Sequence, residues 1–119
     1  MGPEDVRALA RLLPEVYEGA HSGNPDFRVG GRIFATLWTE EERVVLKLSP
    51  EDQAQLVEAE PDLVTPLPGA WGRRGWTNLD LWDAGEELLR DLLLRAWRAT
   101  APRGLVVAFQ GSALDPGNG

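Results

Sequence analysis

The chain contains no cysteine and only one histidine, and both shortages limit its chemistry. Without thiols it can form no disulfide, no thiolate metal site and no cysteine nucleophile. Transition metals favour imidazole and thiolate ligands, so a single histidine serves them poorly. We therefore expect no metal and no cofactor, and the lack of disulfides is typical of the reducing cytoplasm.

Long apolar runs are also missing. A helix that crosses a bilayer needs about 20 consecutive apolar residues, and no segment of the sequence approaches that length. The first five residues include two acids, Glu4 and Asp5, and lack the basic and apolar regions of a secretory signal. We expect a cytoplasmic protein that makes no contact with a membrane.

Positive charge is scarce compared with negative charge. The chain has 12 basic and 19 acidic residues and a net charge of −7, so on average it repels polyanions. Binding to a nucleic acid would therefore need a local basic patch. Lys47 is the one lysine and the other basic residues are arginines. Two alternative explanations of this bias are genomic base composition and arginine-based recognition.

Length and composition indicate one globular domain. A chain of 119 residues with 43% hydrophobic and 26% charged residues can build a single core. Apolar periodicity predicts helices over residues 3–13 and 85–100, and the Ser-Pro-Glu-Asp segment starts another over residues 50–60. We expect one domain over residues 1–109 and a mobile tail over residues 110–119.

The segment over residues 26–38 predicts a β-hairpin. The glycine pair Gly30–Gly31 can adopt the positive φ angles that a two-residue hairpin turn needs. In the register set by this turn, Phe27 lies opposite Phe34. Strict alternation then places Trp38 on the same face of the sheet as both phenylalanines.

Further strands are predicted over residues 16–20, 43–48 and 76–82. Residues 61–75, rich in Pro, Gly and Thr, are predicted to form a loop, and residues 105–109 a short strand or a packed tail. Successive hairpins make a meander. The predicted class is α+β, a two-layer fold with helices packed on an antiparallel hairpin sheet.

No catalytic site is recognisable in the sequence. His21 lies in a turn beside Ser22, and an adjacent Ser-His pair cannot act as nucleophile and base, which meet through the fold and need an orienting acid. The glycine pair Gly30–Gly31 lies between strands and lacks the following helix that a phosphate-binding loop requires. We expect no enzymatic activity, although a pocket that uses Asp, Glu and Arg alone is an alternative.

Five basic residues are the candidate ligand contacts. They lie on the predicted strands or in the loop before the last strand: Arg28, Arg32, Lys47, Arg73 and Arg74. If the fold gathers them, they form a positive patch that binds phosphate. The alternative is that they are solvated or paired with nearby carboxylates.

Tryptophan is abundant, with five residues in the chain. Trp97 completes the apolar stripe of the long helix and is predicted to lie in the core. Trp76 and Trp82 flank the last predicted strand at an even spacing, so we expect them to share a face under a helix. Trp71, in a glycine-rich loop, either fills a gap in the core or is an exposed anchor for a base or a peptide. Trp71 and Trp76 are candidate contacts beside the basic residues.

Three blocks of the sequence together resemble the MmcQ/YjbR-like family. The blocks are residues 25–35, 46–51 and 75–81, and the resemblance extends over residues 6–100. It implies a secretion-chaperone-like or frataxin-like arrangement, whose paired hairpins are described as a double-wing element. Members commonly carry a DNA-binding label. The family has no established catalytic residues, so none is carried over.

Two functions are compatible with these features. The favoured one is a non-enzymatic module that binds nucleic acid through the five basic residues, with Trp71 or Trp76 alongside. The alternative is a protein-interaction or chaperone-like module, because an acidic protein suits a basic partner segment. The oligomeric state stays open.

Overall fold

Six strands form one antiparallel sheet in the computed structural model, which describes residues 1–110. In chain order the strands are β1 (Tyr17–His21), β2 (Asn24–Val29), β3 (Arg32–Trp38), β4 (Arg43–Lys47), β5 (Val64–Pro66) and β6 (Trp76–Asp80). Across the sheet the order is β1-β2-β3-β4-β6-β5. The first four strands are therefore the predicted meander, and β6 lies between β4 and β5.

Five helices accompany the sheet. They are α1 (Pro3–Arg11), α2 (Pro50–Ala59), α3 (Gly69–Arg73), α4 (Glu86–Thr100) and α5 (Arg103–Gln110). The predicted helices α1, α2 and α4 are confirmed. At the start of α2 the Ser49 hydroxyl accepts a hydrogen bond from the backbone N–H of Asp52 at 3.1 Å, which satisfies a free donor of the first turn. The predicted α+β class is confirmed.

One face of the sheet is covered by α4, which packs against β3 and β4. Its apolar stripe is buried, and Trp97 has no solvent exposure. The indole Nε1 of Trp97 donates a hydrogen bond to the Pro14 carbonyl at 3.0 Å, and its ring meets the edge of Phe109 with 5.0 Å between centroids. Phe109 belongs to α5, so the segment predicted as a strand or packed tail is a helix held by this contact.

The β2–β3 hairpin has the predicted turn but not the predicted register. Gly30 and Gly31 have φ angles of +59° and +79°, as a two-residue hairpin turn requires. Phe27 pairs with Ala35 instead of Phe34, because the register shifts between Phe27 and Arg28. Such a bulge adds one residue to one of the two strands. The added residue here is Phe34, on β3.

Because of the bulge, each β3 residue after Phe34 points to the face of the sheet opposite to the one predicted for it. Trp38 pairs with Arg43, and Leu37 pairs with Val44, which has no solvent exposure. Leu37 therefore faces the core, and Trp38 lies on the face away from α4, because neighbouring residues point to opposite sides. The predicted grouping of Trp38 with Phe27 is wrong.

The predicted loop over residues 61–75 contains two short elements, β5 and α3. In β5, Val64 pairs with Leu79 and lies in the core. Three residues are too few to show a periodic pattern, so the sequence did not reveal this strand. The prediction that Trp76 and Trp82 are buried together under a helix is also wrong. Trp82 lies beyond the end of β6 and is 73% exposed.

The predicted tail over residues 110–119 begins at the last residue of α5, and the rest of it lies outside the described residues. Within residues 1–110, no helix combines the length and the apolar character that crossing a bilayer requires.

Candidate functional site

Antiparallel pairing brings the candidate basic residues to one end of the sheet. The β2–β3 turn, the end of β4 and the start of β6 lie together there, and Lys47 pairs with Trp76. Pro102, just before α5, packs against Gly30 of the turn. We term this region the basic end, and its cationic residues are Arg28, Arg32, Lys47, Arg73, Arg74 and Arg103.

Four of the five predicted basic residues make no ion pair with a carboxylate within residues 1–110. Arg32 and Arg73 are exposed and have no side-chain partner in this part of the chain. The guanidinium of Arg74 lies 5.8 Å from the ring centroid of Trp71, which is a cation–π distance. Lys47 Nζ donates a hydrogen bond to the backbone carbonyl of Arg74. Within the described residues, ion pairing therefore does not neutralise their positive charge.

The opposite end of the sheet is acidic. The β3–β4 turn there contains Glu40, Glu41 and Glu42, and β6 ends at Asp80. The acidic start of α2 lies nearer the basic end, and Asp52 in it is paired with an arginine of α4 at 2.8 Å. An acidic protein can therefore present a local positive surface, because four cations at the basic end have no carboxylate partner within residues 1–110 while the acidic β3–β4 turn lies at the other end.

Arg28 differs from the other four because it has a carboxylate partner. Its Nε lies 2.8 Å from Asp26 Oδ1 and its Nη2 lies 3.1 Å from Asp26 Oδ2. The Asp26 side chain has no solvent exposure, and its Oδ2 also lies 2.9 Å from Nδ1 of His21. The hydrogen bonds from Arg28 are the largest cause that lowers the pKa of Asp26, and burial opposes them. Two of the five N–H donors of Arg28 are thus already engaged.

This cluster of His21, Asp26 and Arg28 depends on a close approach of the β1 backbone. Gly19 pairs directly with Asp26. A Cβ at position 19 would lie 2.9 Å from both Arg28 Nε and Asp26 Oδ1, which is closer than such atoms pack. A glycine at this position leaves room for the ion pair.

The cluster also sets the tautomer of His21. Because Asp26 is ionised, we assign the proton of the neutral imidazole to Nδ1, where it is donated to the carboxylate. The Nε2 atom is then an acceptor, without a protein partner within residues 1–110. No acidic residue is adjacent to His21 in the sequence. Asp26 reaches it across the tight turn of Ser22 and Gly23, whose φ angles are +52° and +80°.

A pocket of about 370 Å³ opens on the face of the sheet away from α4, and we term it the sheet-face pocket. Thr36 and Val45 lie opposite each other on β3 and β4 and form its floor. Trp38 lines it towards the acidic end and Trp76 towards the basic end. His21 also lines it. The pocket thus connects the His21 cluster with the basic end.

Trp71, which belongs to α3, lines this pocket. It is 58% exposed, so of the two alternatives it is the exposed aromatic and not a core residue. Its ring meets Trp76 nearly edge to face, with 6.3 Å between centroids and 70° between planes. More than half of the Trp71 side chain is therefore accessible to a ligand, although Trp76 and the Arg74 guanidinium both contact the ring.

The position of α3 is set by Gln53 of α2. The Gln53 Nε2 donates to the Gly72 carbonyl at 2.9 Å and to the Thr77 hydroxyl at 3.0 Å. Gly72 also approaches the backbone of Leu67 so closely that a Cβ there would lie 1.9 Å from its carbonyl oxygen. These contacts hold Trp71 in place.

Arg43 completes the acidic side of the sheet-face pocket. Its guanidinium lies 4.9 Å from the ring centroid of Trp38. Its Nε donates to Glu41 at 2.7 Å and its Nη1 donates to Asn78 at 3.0 Å. Trp38, Arg43 and His21 were not among the site residues predicted from the sequence. The even spacing of Trp38 and Thr36 on β3 was visible, but the bulge that turns them to this face was not.

Metal ligands do not assemble in the part of the chain that the structure describes. No three histidine, aspartate or glutamate side chains come together there as a metal site requires.

Comparisons with known proteins agree with this fold. The family model described as YjbR matches residues 11–99. Among solved structures, the crystal structure of the Deinococcus radiodurans protein DR2400, a DUF419 domain, matches with a TM-score of 0.73. The sequence identity is 25%, and the match covers 87% of this chain and 80% of that chain. No curated protein matched.

Proposed function

The chain belongs to the YjbR family, and on this premise we propose that it is a nucleic-acid-binding module whose basic end contacts phosphates. One observation carries the proposal. Arg32, Lys47, Arg73 and Arg74 meet at one end of an acidic molecule without a carboxylate partner within residues 1–110. Phosphate contacts by lysine and arginine supply most of the affinity of non-specific nucleic-acid binding.

An exposed aromatic ring beside these cations gives further support. Trp71 is more than half exposed and lies next to Arg74. Surfaces that bind nucleic acid combine basic side chains, which follow the backbone, with aromatic rings, on which bases stack. The combination favours a ligand with both phosphates and aromatic rings.

The test is a titration of fluorescently labelled oligonucleotides by anisotropy at a series of salt concentrations. Four phosphate contacts predict a slope of log affinity against log salt of about −3 to −4. The variant Arg73→Ala removes a side chain without a partner within residues 1–110, so folding stability should be unchanged. Its slope should fall in magnitude by about one, in line with one lost phosphate contact.

The matched control is Arg90→Ala, which removes the same charge from an exposed position on α4, where Arg90 pairs with Glu86. Its affinity and slope should stay those of the unmodified protein. Equal losses of affinity in both variants would mean that the net charge of the protein alone determines oligonucleotide binding. No binding of any oligonucleotide at about 50 mM salt would overturn the proposal.

A further inference from the structure

We infer that the sheet-face pocket accepts one unpaired nucleobase, so that the ligand of this module is single-stranded nucleic acid. This inference rests on the proposed function and names its substrate class. The pocket, at about 370 Å³, is at the small end of the range of ligand pockets, roughly 300–1,000 Å³. It suits one flat ring system. A base inside a duplex is stacked on both faces and paired along one edge, so it must leave the helix to enter such a pocket.

The walls of the pocket offer stacking surfaces. Trp71 and Trp76 stand at 70° to each other, and Trp38 lies at the other end of the floor. Between them the floor is formed by the small side chains of Thr36 and Val45, which leave the space open. Base–aromatic stacking changes affinity by on the order of ten- to a hundredfold per base.

The polar groups of the pocket match the edge of a base. In the neutral imidazole, with the proton assigned to Nδ1, the Nε2 of His21 is an acceptor whose direction is set by the bond from Nδ1 to Asp26 at 2.9 Å. The amino and ring N–H groups of nucleobases can donate hydrogen bonds to such an acceptor. Arg43, held over Trp38 and paired with Glu41, adds N–H donors to the lining of the pocket. A few oriented polar groups in a largely apolar and aromatic lining are typical of a site for a heteroaromatic ring.

The pocket is continuous with the basic end. Trp76, at one end of the pocket, pairs with Lys47, and Trp71 lies beside Arg74. A strand whose phosphates contact these cations can therefore turn one base onto the tryptophans without leaving the basic surface.

The experiment compares three labelled probes of equal length at one salt concentration: a single strand, its duplex, and a single strand with abasic sites. We expect the single strand to bind at least tenfold more tightly than the other two. The abasic strand keeps the phosphates and lacks the ring, so its deficit measures insertion of the base.

The diagnostic variant is Trp71→Ala, with Trp71→Phe as the conservative partner. Trp71→Ala should reduce affinity for the single strand to that for the abasic strand and leave the abasic affinity unchanged. Trp71→Phe should retain most of the difference. The control Trp82→Ala removes an equally large ring that is 73% exposed and outside the pocket, and it should change nothing.

The outcomes separate the two proposals. Equal affinity for duplex and single strand, or equal losses in the Trp71→Ala and Trp82→Ala variants, would overturn the base pocket and leave nucleic-acid binding intact. If none of the three probes binds, both proposals fail. Binding of a peptide in place of the single strand would also overturn them.

Discussion

Asp26 is a carboxylate without solvent exposure on the sheet face away from α4, and its neighbours explain how it remains ionised. Arg28 supplies two hydrogen bonds, and His21 supplies one. Removing one partner of a buried charge costs more than the pair contributes, because the remaining charge is left without compensation. Arg28 is 32% exposed in its side chain and can be partly solvated, which moderates that cost.

The variant Asp26→Asn should therefore unfold more easily by about 1–3 kcal/mol at neutral pH. The pKa of Asp26 is lowered from 3.8, so the ionised form stabilises the folded state. This contribution is present above pH 3.8, the unfolded value, and is lost as pH falls through the lower folded value. Urea unfolding at several pH values should show the difference between the two proteins shrinking towards low pH.

The control is Asp62→Asn, at an exposed carboxylate for which no side-chain partner exists within residues 1–110. It should leave the free energy of unfolding unchanged. A difference between Asp26→Asn and the unmodified protein that stays constant with pH would contradict the assigned ionisation of Asp26.

At the scale of elements, the short helix α3 is positioned by neighbours and not by its own sequence. A helix of five residues is below the length at which a helix is stable alone in water. Gln53 joins α3 to the start of β6, and the Thr77 hydroxyl donates to the Gly75 carbonyl at 2.8 Å. The orientation of Trp71 therefore depends on a side chain from a different helix.

Replacing Gln53, whose side-chain amide makes these bonds, should increase the local opening of α3. Gln53→Ala removes the side-chain bonds to the Gly72 carbonyl, which keeps its bond from the Gly75 N–H, and to the Thr77 hydroxyl, and it should cost about 1 kcal/mol. Amide hydrogen exchange in the segment over residues 69–75 should accelerate more than in β3. The control Gln55→Ala lies on the same helix at an exposed position and should preserve the exchange of that segment. Uniform acceleration throughout the protein would indicate general destabilisation and contradict a local role for Gln53.

At the scale of the whole molecule, the distance between the acidic β3–β4 turn and the basic end would reduce the repulsion between a protein with a net charge of −7 and the proposed polyanionic ligand. The molecule measures 35 × 31 × 27 Å, and the Debye length is about 10 Å at 0.1 M ionic strength. The acidic β3–β4 turn is therefore screened from a ligand at the basic end under physiological salt. At about 0.01 M the screening length approaches the size of the protein.

The double variant Glu40→Gln/Glu42→Gln tests this separation. Removing two negative charges at the acidic end should change oligonucleotide affinity by less than about twofold at 0.15 M salt, and increase it severalfold at about 0.01 M. Anisotropy titrations at the two salt concentrations measure both values. An equal gain at both concentrations would mean that the acidic turn contacts the ligand directly.

The sequence by itself determined the features that depend on local interactions. The glycine pair Gly30–Gly31 specified the hairpin turn through its positive φ angles, and Ser49 specified the start of α2 through its capping hydroxyl. Periodicity located α1 and α4, and three sequence blocks indicated the family. These features need only residues that are close along the chain, so the pattern is sufficient to predict them.

Tertiary structure alone decided how the site is assembled. The bulge in β3 turned Trp38 away from the core, and the β1–β2 turn brought His21 to Asp26. Strand order, which pairs β4 with β6, joined Lys47 to the segment that carries Arg74. Each of these outcomes depends on register or on pairing between distant segments, and a shift of one residue reverses the face of every later side chain. Local sequence patterns contain no information about that choice.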